Sequence, residues 1–248
     1  MKIAVLQTSY KRIRDTKIGM RIIREVWPQV PTLQNVDIYH ANNAPDHEYP
    51  QKYLENFLIR RPTMTHYEGA ADLIDAGVNA ILQHEEKYDF ILVMSGDVWL
   101  VKPQEIENIL LKMHSKNISF ASSLWPNLLF MPTLFSTEFF IITPNLARNV
   151  FPLNLHSFFS RRHVANFLYS LTLRVPVLTL PKVEVCFTEK VKNAVQKDQS
   201  SWMLIPGRRV NIGVNRFYSP KLGYLSHHDL NEKIALAQKF TSMKLEKE

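Results

Sequence analysis

The run Phe90-Ile91-Leu92-Val93-Met94 constrains the chain more than any other stretch. Its consecutive apolar residues leave no polar face, so it reads as a strand covered on both sides, the pattern of a central strand in a parallel sheet. Directly before it, Ala70, Leu73, Ile74, Gly77, Val78, Ile81 and Leu82 recur at three-four spacing, which puts one apolar stripe along a helix. Such a helix must pack on a sheet. A helix feeding a doubly covered strand predicts an α/β domain with helices on both faces of a mainly parallel sheet, a Rossmann-type three-layer α/β/α arrangement.

The rest of the chain supplies the other layers. Lys2 to Gln7 reads as a buried strand, followed by the polar loop Thr8-Ser9-Tyr10-Lys11-Arg12. Ile18, Ile22 and Val26 predict a helix closed by Pro28, and Val36 to Tyr39 a second strand that ends in the turn-rich stretch from His40 to Asp46. Pro103 suits a first helical position for the stripe Ile106, Ile109, Leu110 and Met113. Strands are expected over 118–121 and 139–143, the second a candidate for antiparallel pairing. From Leu155 to Leu180 the plainer reading is a core helix, and a basic helix lying in a membrane interface is the other. Asp229-Leu230-Asn231-Glu232 reads as a capping box opening a polar last helix. No repeats, Gly/Ser linkers or low-complexity segments divide the chain, so one domain over 1–248 is expected.

Charge and cysteine usage narrow the partners. The 30 Lys and Arg exceed the 23 Asp and Glu by 30 − 23 = 7, which favours anionic ligands. These charges occur as scattered pairs such as Arg60-Arg61 and Arg208-Arg209, without a polybasic tail, so phosphate is expected rather than nucleic acid. The single cysteine, Cys186, lies in an apolar run, which predicts a buried, inert thiol and a reducing compartment. Met1 to Thr8 is too short an apolar stretch for a signal peptide, so a cytoplasmic protein is expected, at the inner face of a membrane if the basic helix lies on lipid. Gly-x-Gly-x-x-Gly, Gly-Lys-Ser/Thr and Gly-x-Ser-x-Gly are all missing, which argues against dinucleotide oxidoreductases, P-loop enzymes and esterases.

The chemistry is expected where the central strand ends, at Ser95-Gly96-Asp97. Open α/β sheets bind ligands at the carboxyl ends of their strands, and a carboxylate there can ligate a hard divalent cation that neutralises a diphosphate. The other reading of Asp97 is a cap on the turn before Pro103.

This segment resembles the GT-A family of glycosyltransferases, whose central strand ends in an Asp-x-Asp motif. Asp97 matches the second acidic position and Leu100 to Pro103 the hydrophobic-Pro pattern, whereas Ser95 stands at the first acidic position. The resemblance continues in order along the chain. It implies that Thr8, Ser9, Tyr10 and Arg12 form the loop that holds base and ribose, that Asn42 and Asn43 form the second-strand asparagine segment, and that Glu68, Gly69 and Asp72 line the nucleotide from a helix start. Ser95, Gly96 and Asp97 would hold the diphosphate; if Ser95 abolishes metal binding, cationic residues must stabilise the leaving diphosphate instead, and Arg208, Arg209 and Lys221 are the candidates. Asp97, His227 and His228 are the implied metal ligands for Mn or Mg. Residues 1–102 become a nucleotide-binding half and 103–248 an acceptor-side half.

The implied function is transfer of a sugar from a UDP- or GDP-sugar to a glycan, lipid or protein acceptor, in the manner of cell-surface glycan biosynthesis. An inverting transferase needs a carboxylate to take the acceptor's proton, and Glu138 is the first candidate, Asp198 the second. Two alternatives stand beside it: a non-catalytic binder of a nucleotide or partner on the same fold, favoured by Ser95, and a nucleotidyltransferase.

Overall fold

The structure is a computed structural model, and it describes residues 1–10, 12–44, 57–64, 66–85, 87–124, 134–154, 182–205, 209–211, 216–219, 223–226 and 229–241. The basic, aromatic-rich stretch 155–180 lies outside them.

The central sheet has seven strands: β1 (Ile3–Ser9), β2 (Val36–Asn42), β3 (Phe57–Arg60), β4 (Phe90–Ser95), β6 (Ile118–Leu124), β7 (Phe135–Ile142) and β8 (Ser201–Leu204), β5 (Trp99–Leu100) belonging elsewhere. Their order is β3-β2-β1-β4-β7-β6-β8. All neighbours are parallel except β7, which runs antiparallel to both β4 and β6, so the expected antiparallel pairing of this strand is found. The layout is the expected Rossmann-type α/β/α stack with a mainly parallel sheet.

Alternation along the strands builds a core on each face. Ile3 and Val5 of β1, with Phe90, Leu92 and Met94 of β4, pack against α1 (Ile13–Glu25) and α3 (Pro103–Ser115). Ala4, Leu6, Ile91 and Val93 point the other way, toward α2 (His66–Gln83), α4 (Pro144–Val150) and α5 (Lys182–Lys197). Both faces of β4 are thereby buried, which is why its sequence shows no alternation of polarity. In α2, Gly77 lets the helix lie against β1, since a Cβ there would stand 2.3 Å from the Leu6 side chain. No helix among the described residues is long and apolar enough to cross a membrane.

A second, antiparallel sheet has the order β5-β11-β10-β9, with β9 (Arg209–Asn211), β10 (Arg216–Ser219) and β11 (Tyr224–Ser226). It ties the chain just after Asp97 to the C-terminal region. The last helix, α6 (Leu230–Phe240), starts at Asp229, whose carboxylate accepts from the Asn231 amide at 2.9 Å, as an N-cap does. Helix α6 joins the same core as α1 through Ile234 and Ala237.

Candidate functional site

The strand order decides where a ligand can sit. The chain leaves β1 for β2 on one side and later enters β4 on the other, so the carboxyl ends of β1 and β4 flank a topological switch point. Thr8 pairs in register with Ser95 at this edge. Beyond it the backbone turns, the Val98 amide donating to the Ser95 carbonyl at 2.9 Å. Gly96 is required at this turn: a Cβ would stand 2.5 Å from Thr16 Oγ1, 2.8 Å from the Ser9 Cβ and 3.0 Å from the Thr8 carbonyl oxygen.

The turn presents Asp97 to the loop after β1. Arg12 Nη1 donates to Asp97 Oδ2 at 2.9 Å, joining residues 85 apart in sequence. The guanidinium side chain is 51% exposed and the carboxylate side chain 12%. Lys233 of α6 approaches from inside the protein. It is fully buried, and its ammonium donates to Asp15 Oδ1 at 2.5 Å and to the Asp97 carbonyl at 2.6 Å while lying 3.9 Å from the Trp99 ring centroid. Desolvation by burial lowers the Lys233 pKa, and the Asp15 carboxylate opposes that shift. Trp99 Nε1 donates to the Asp15 carbonyl at 2.9 Å, so β5, α1 and α6 converge here.

On the β2 side the buried groups are neutral, with the Arg60 guanidinium at their edge. Asn42 Nδ2 donates to Ser9 Oγ at 2.9 Å and to the Ser9 carbonyl at 3.2 Å, and Asn42 Oδ1 accepts from Arg60 Nη1 at 2.8 Å and the Ala44 amide at 3.1 Å. Ser9 Oγ lies 2.7 Å from His40 Nε2. The hydroxyl has a second lone pair and a proton, so the tautomer of the imidazole sets which of the two atoms donates. Burial, then the Arg60 charge, push the His40 pKa down to about 3. A buried imidazole that weak in basicity cannot activate Ser9 as a nucleophile. The pair is a scaffold for the strand ends.

The remaining expected residues divide by position. Thr8 turns its hydroxyl to the Met94 carbonyl at 3.5 Å, and Tyr10, directly after β1, is 41% exposed. Asn43 is buried, with its backbone carbonyl accepting from Thr63 Oγ1 and its Oδ1 accepting no hydrogen bond among the described residues. Glu68 is exposed in the first turn of α2, and Asp72 is held by Arg61 through two bonds of 2.6 and 2.8 Å. Asn42 and Asp72 are thus committed to protein partners. Their place is to position neighbours.

Glu138 lies toward the carboxyl end of β4. Phe139 pairs with Met94 in the antiparallel register, so Glu138 lies at the level where β4 ends, and its Oε2 accepts from the Tyr224 hydroxyl at 3.1 Å. Asp198 does not. It follows α5 at the amino end of β8, which pairs parallel to β6 from Ile118↔Ser201, and its carboxylate is held by Asn149 Nδ2 at 3.2 Å. That is the opposite edge of the sheet from Asp97, and Asp198 is therefore corrected to a surface role. Its nearness to the acceptor half in sequence hid the full length of helix that α5 interposes.

Two residues escaped sequence reasoning. Lys233 sits in a polar helix where nothing distinguishes it from a surface lysine. Glu184, in the first turn of α5, is buried and accepts from Thr137 Oγ1 at 2.9 Å beside Glu138; its signal is the apolar stripe of Phe187, Val191 and Ala194 that buries that face of the helix. Cys186 of the same helix is buried as expected, and desolvation raises its thiol to about 11.

The divalent cation implied by the Asp-x-Asp resemblance does not fit the described residues. Ser95 is neutral, the Asp97 carboxylate holds a guanidinium and its carbonyl an ammonium, and no group of three or more His, Cys, Asp or Glu side chains gathers among the described residues. Arg208, Lys221, His227 and His228 lie outside them, and Arg209 opens β9.

No protein-family model matches the chain, and no curated protein matches its sequence. Solved structures align with it at 8–12% identity. S. aureus TarS shares 12% identity over 60% of this chain and 48% of its own, with a TM-score of 0.43, so the chain spans about half the length of the TarS chain it matches. A CMP:2-keto-3-deoxy-manno-octonic acid synthetase complexed with CTP shares 12% over 83% of this chain and 89% of its own, with a TM-score of 0.46. The galactosyltransferase LgtC, in complex with donor and acceptor sugar analogs, shares 8% over 80% and 72%, with a TM-score of 0.40. These are likenesses of general layout.

Proposed function

We propose that this chain is a glycosyltransferase that moves a sugar from a nucleotide-diphosphate donor to a hydroxyl of a glycan or lipid acceptor. One observation carries the reading: the Arg12–Asp97 pair closes the switch point between β1 and β4, setting a half-exposed guanidinium where a diphosphate would arrive. The base and ribose would lie toward Ser9, Tyr10 and the buried Asn43, whose Oδ1 has no donor among the described residues.

The reaction assigns Glu138 as base. As the acceptor oxygen attacks the anomeric carbon, its proton passes to a Glu138 carboxylate oxygen, the glycosidic bond to phosphate breaks, and the nucleoside diphosphate leaves with the electron pair. Tyr224, donating to Oε2, fixes the carboxylate's orientation. Incubation with a panel of UDP- and GDP-sugars, with and without glycan and lipid acceptors, tests this by release of nucleotide. Release from one donor, falling at least ~10²-fold in Glu138→Gln, is expected. Turnover unchanged in that variant removes Glu138 from the chemistry.

A non-catalytic binder is the second reading, and Ser95 together with an Asp97 carboxylate already engaged by Arg12 favours it. Calorimetric binding of UDP or GDP without turnover of any donor would decide for it.

A further inference from the structure

We propose that the nucleotide's diphosphate is taken directly by Arg12, with no divalent cation between protein and phosphate. This rests on the nucleotide-diphosphate reading above. It departs from the metal that the Asp-x-Asp resemblance implies, and it names a different phosphate partner from the arginines and lysine of the C-terminal half.

Arg12 is anchored and still has donors to give. Its Nη1 is held by Asp97, while Nε and Nη2 make no bond among the described residues, and half of the side chain is exposed. A guanidinium carries its donors in a fixed plane, so one edge can stay on a carboxylate while another takes a phosphate oxygen in bidentate fashion. Asp97 then works as an aiming post for the arginine.

Asp97 in turn is held. Its backbone carbonyl accepts from Lys233, whose ammonium has no exposure and whose second partner, Asp15, belongs to the first turn of α1. The Trp99 ring covers that ammonium and its indole N–H ties back to the Asp15 carbonyl. Lys233 is a positioning residue: it cannot touch a ligand, yet it fixes the peptide that carries the anchor of Arg12.

The same arrangement opposes a metal. A cation ligated by Asp97 would compete with Arg12 for the carboxylate and stand beside two positive side chains, and Ser95 offers only a neutral hydroxyl where a second carboxylate would compensate. An anion meets the reverse situation, with the guanidinium edge turned outward.

The test is calorimetry on the full chain freed of metal by EDTA, titrated with UDP and with GDP, each in EDTA and again with Mn²⁺ or Mg²⁺ in excess. The expected result is binding of at least one nucleotide with a Kd that changes by less than about threefold on adding metal, and a loss of at least ~10-fold in Arg12→Met. Arg12→Lys should recover only part of it, because a point charge cannot hold carboxylate and phosphate at once. Lys233→Met, if it folds by near-ultraviolet circular dichroism, should weaken binding with no change in stoichiometry. Binding that appears only with Mn²⁺ or Mg²⁺, or a Kd unaltered in Arg12→Met, overturns the proposal and leaves the nucleotide reading intact. No binding of either nucleotide in any buffer overturns the nucleotide reading itself, and this inference with it.

Discussion

The two hydrogen-bond networks that meet around β1 are built on different terms. Toward β2, Ser9, His40 and Asn42 form a buried, neutral set whose donors and acceptors are matched to one another, with Arg60 closing it at the edge. Toward β4, the charged groups of Arg12, Asp97, Lys233 and Asp15 run from the half-exposed guanidinium to the fully buried ammonium, which reaches Asp97 through its backbone carbonyl. A matched neutral network resists rearrangement and holds the strand ends in register. A charged chain with an exposed terminus can take up an anion at that terminus while its buried end stays fixed. On the proposed reading, the first gives the site its shape and the second its affinity.

The largest expected effect breaks the charged side. Lys233→Met leaves Asp15 with a partly buried, unpartnered carboxylate and the Asp97 carbonyl without its donor, which costs about 3–5 kcal/mol in urea unfolding. A loss below about 1 kcal/mol would mean that the ammonium is dispensable to the fold.

Acid titration probes the neutral side. His40 has its folded pKa depressed to about 3 from 6.5, so its contribution is present above pH 6.5 and is lost as the pH falls toward 3, by about 5 kcal/mol at most. Asp75 of α2, whose carboxylate accepts from the Leu153 amide at 2.8 Å, acts with the opposite sign. Burial raises it to about 6 from 3.8, so its contribution is complete below pH 3.8 and is lost as the pH rises through 6, by about 3 kcal/mol. Between roughly pH 4 and 6 the two largely cancel. His40→Gln should therefore become more stable on acidification through that window, and Asp75→Asn less stable, as read from chemical unfolding at a series of pH values. Parallel pH profiles for the two variants would contradict both assignments.

Smaller effects sharpen the contrast. Gly96→Ala forces a Cβ against Thr16 and the β1 backbone and should cost about 1–3 kcal/mol, with nucleotide binding weakened because Asp97 moves. Arg61→Ala removes a bidentate but substantially exposed pair with Asp72 and should cost under about 1 kcal/mol, leaving the site unaltered in thermal unfolding with and without nucleotide.

The sequence spoke clearly where a residue's pattern depends on its near neighbours. β4 and α2 were legible from an unbroken apolar run and a three-four stripe, and Asp97 from its place at the end of that run, because burial on both faces leaves a local trace. The loop at Arg12 was legible for the same reason, as the polar end of a strand. What stayed hidden was made by distant pairing. Lys233 meets Asp97 from 136 residues away and Asp15 from 218, through a helix whose sequence looks like any solvated one. The His40–Ser9 contact needed the parallel register Gln7↔His40 and Ser9↔Asn42, which no local pattern prints. Asp198 misled for a related reason: its place along the chain says nothing of which edge of the sheet it occupies, and only the course of α5 sets that.

The most direct measurement is nucleotide release from UDP- and GDP-sugars by the native chain and by Asp97→Asn, at matched folded concentration. If the carboxylate at the switch point holds the phosphate-binding arginine in place, the donor turned over by the native chain should be turned over at least ~10²-fold more slowly by the variant. Near-native release by Asp97→Asn would contradict it.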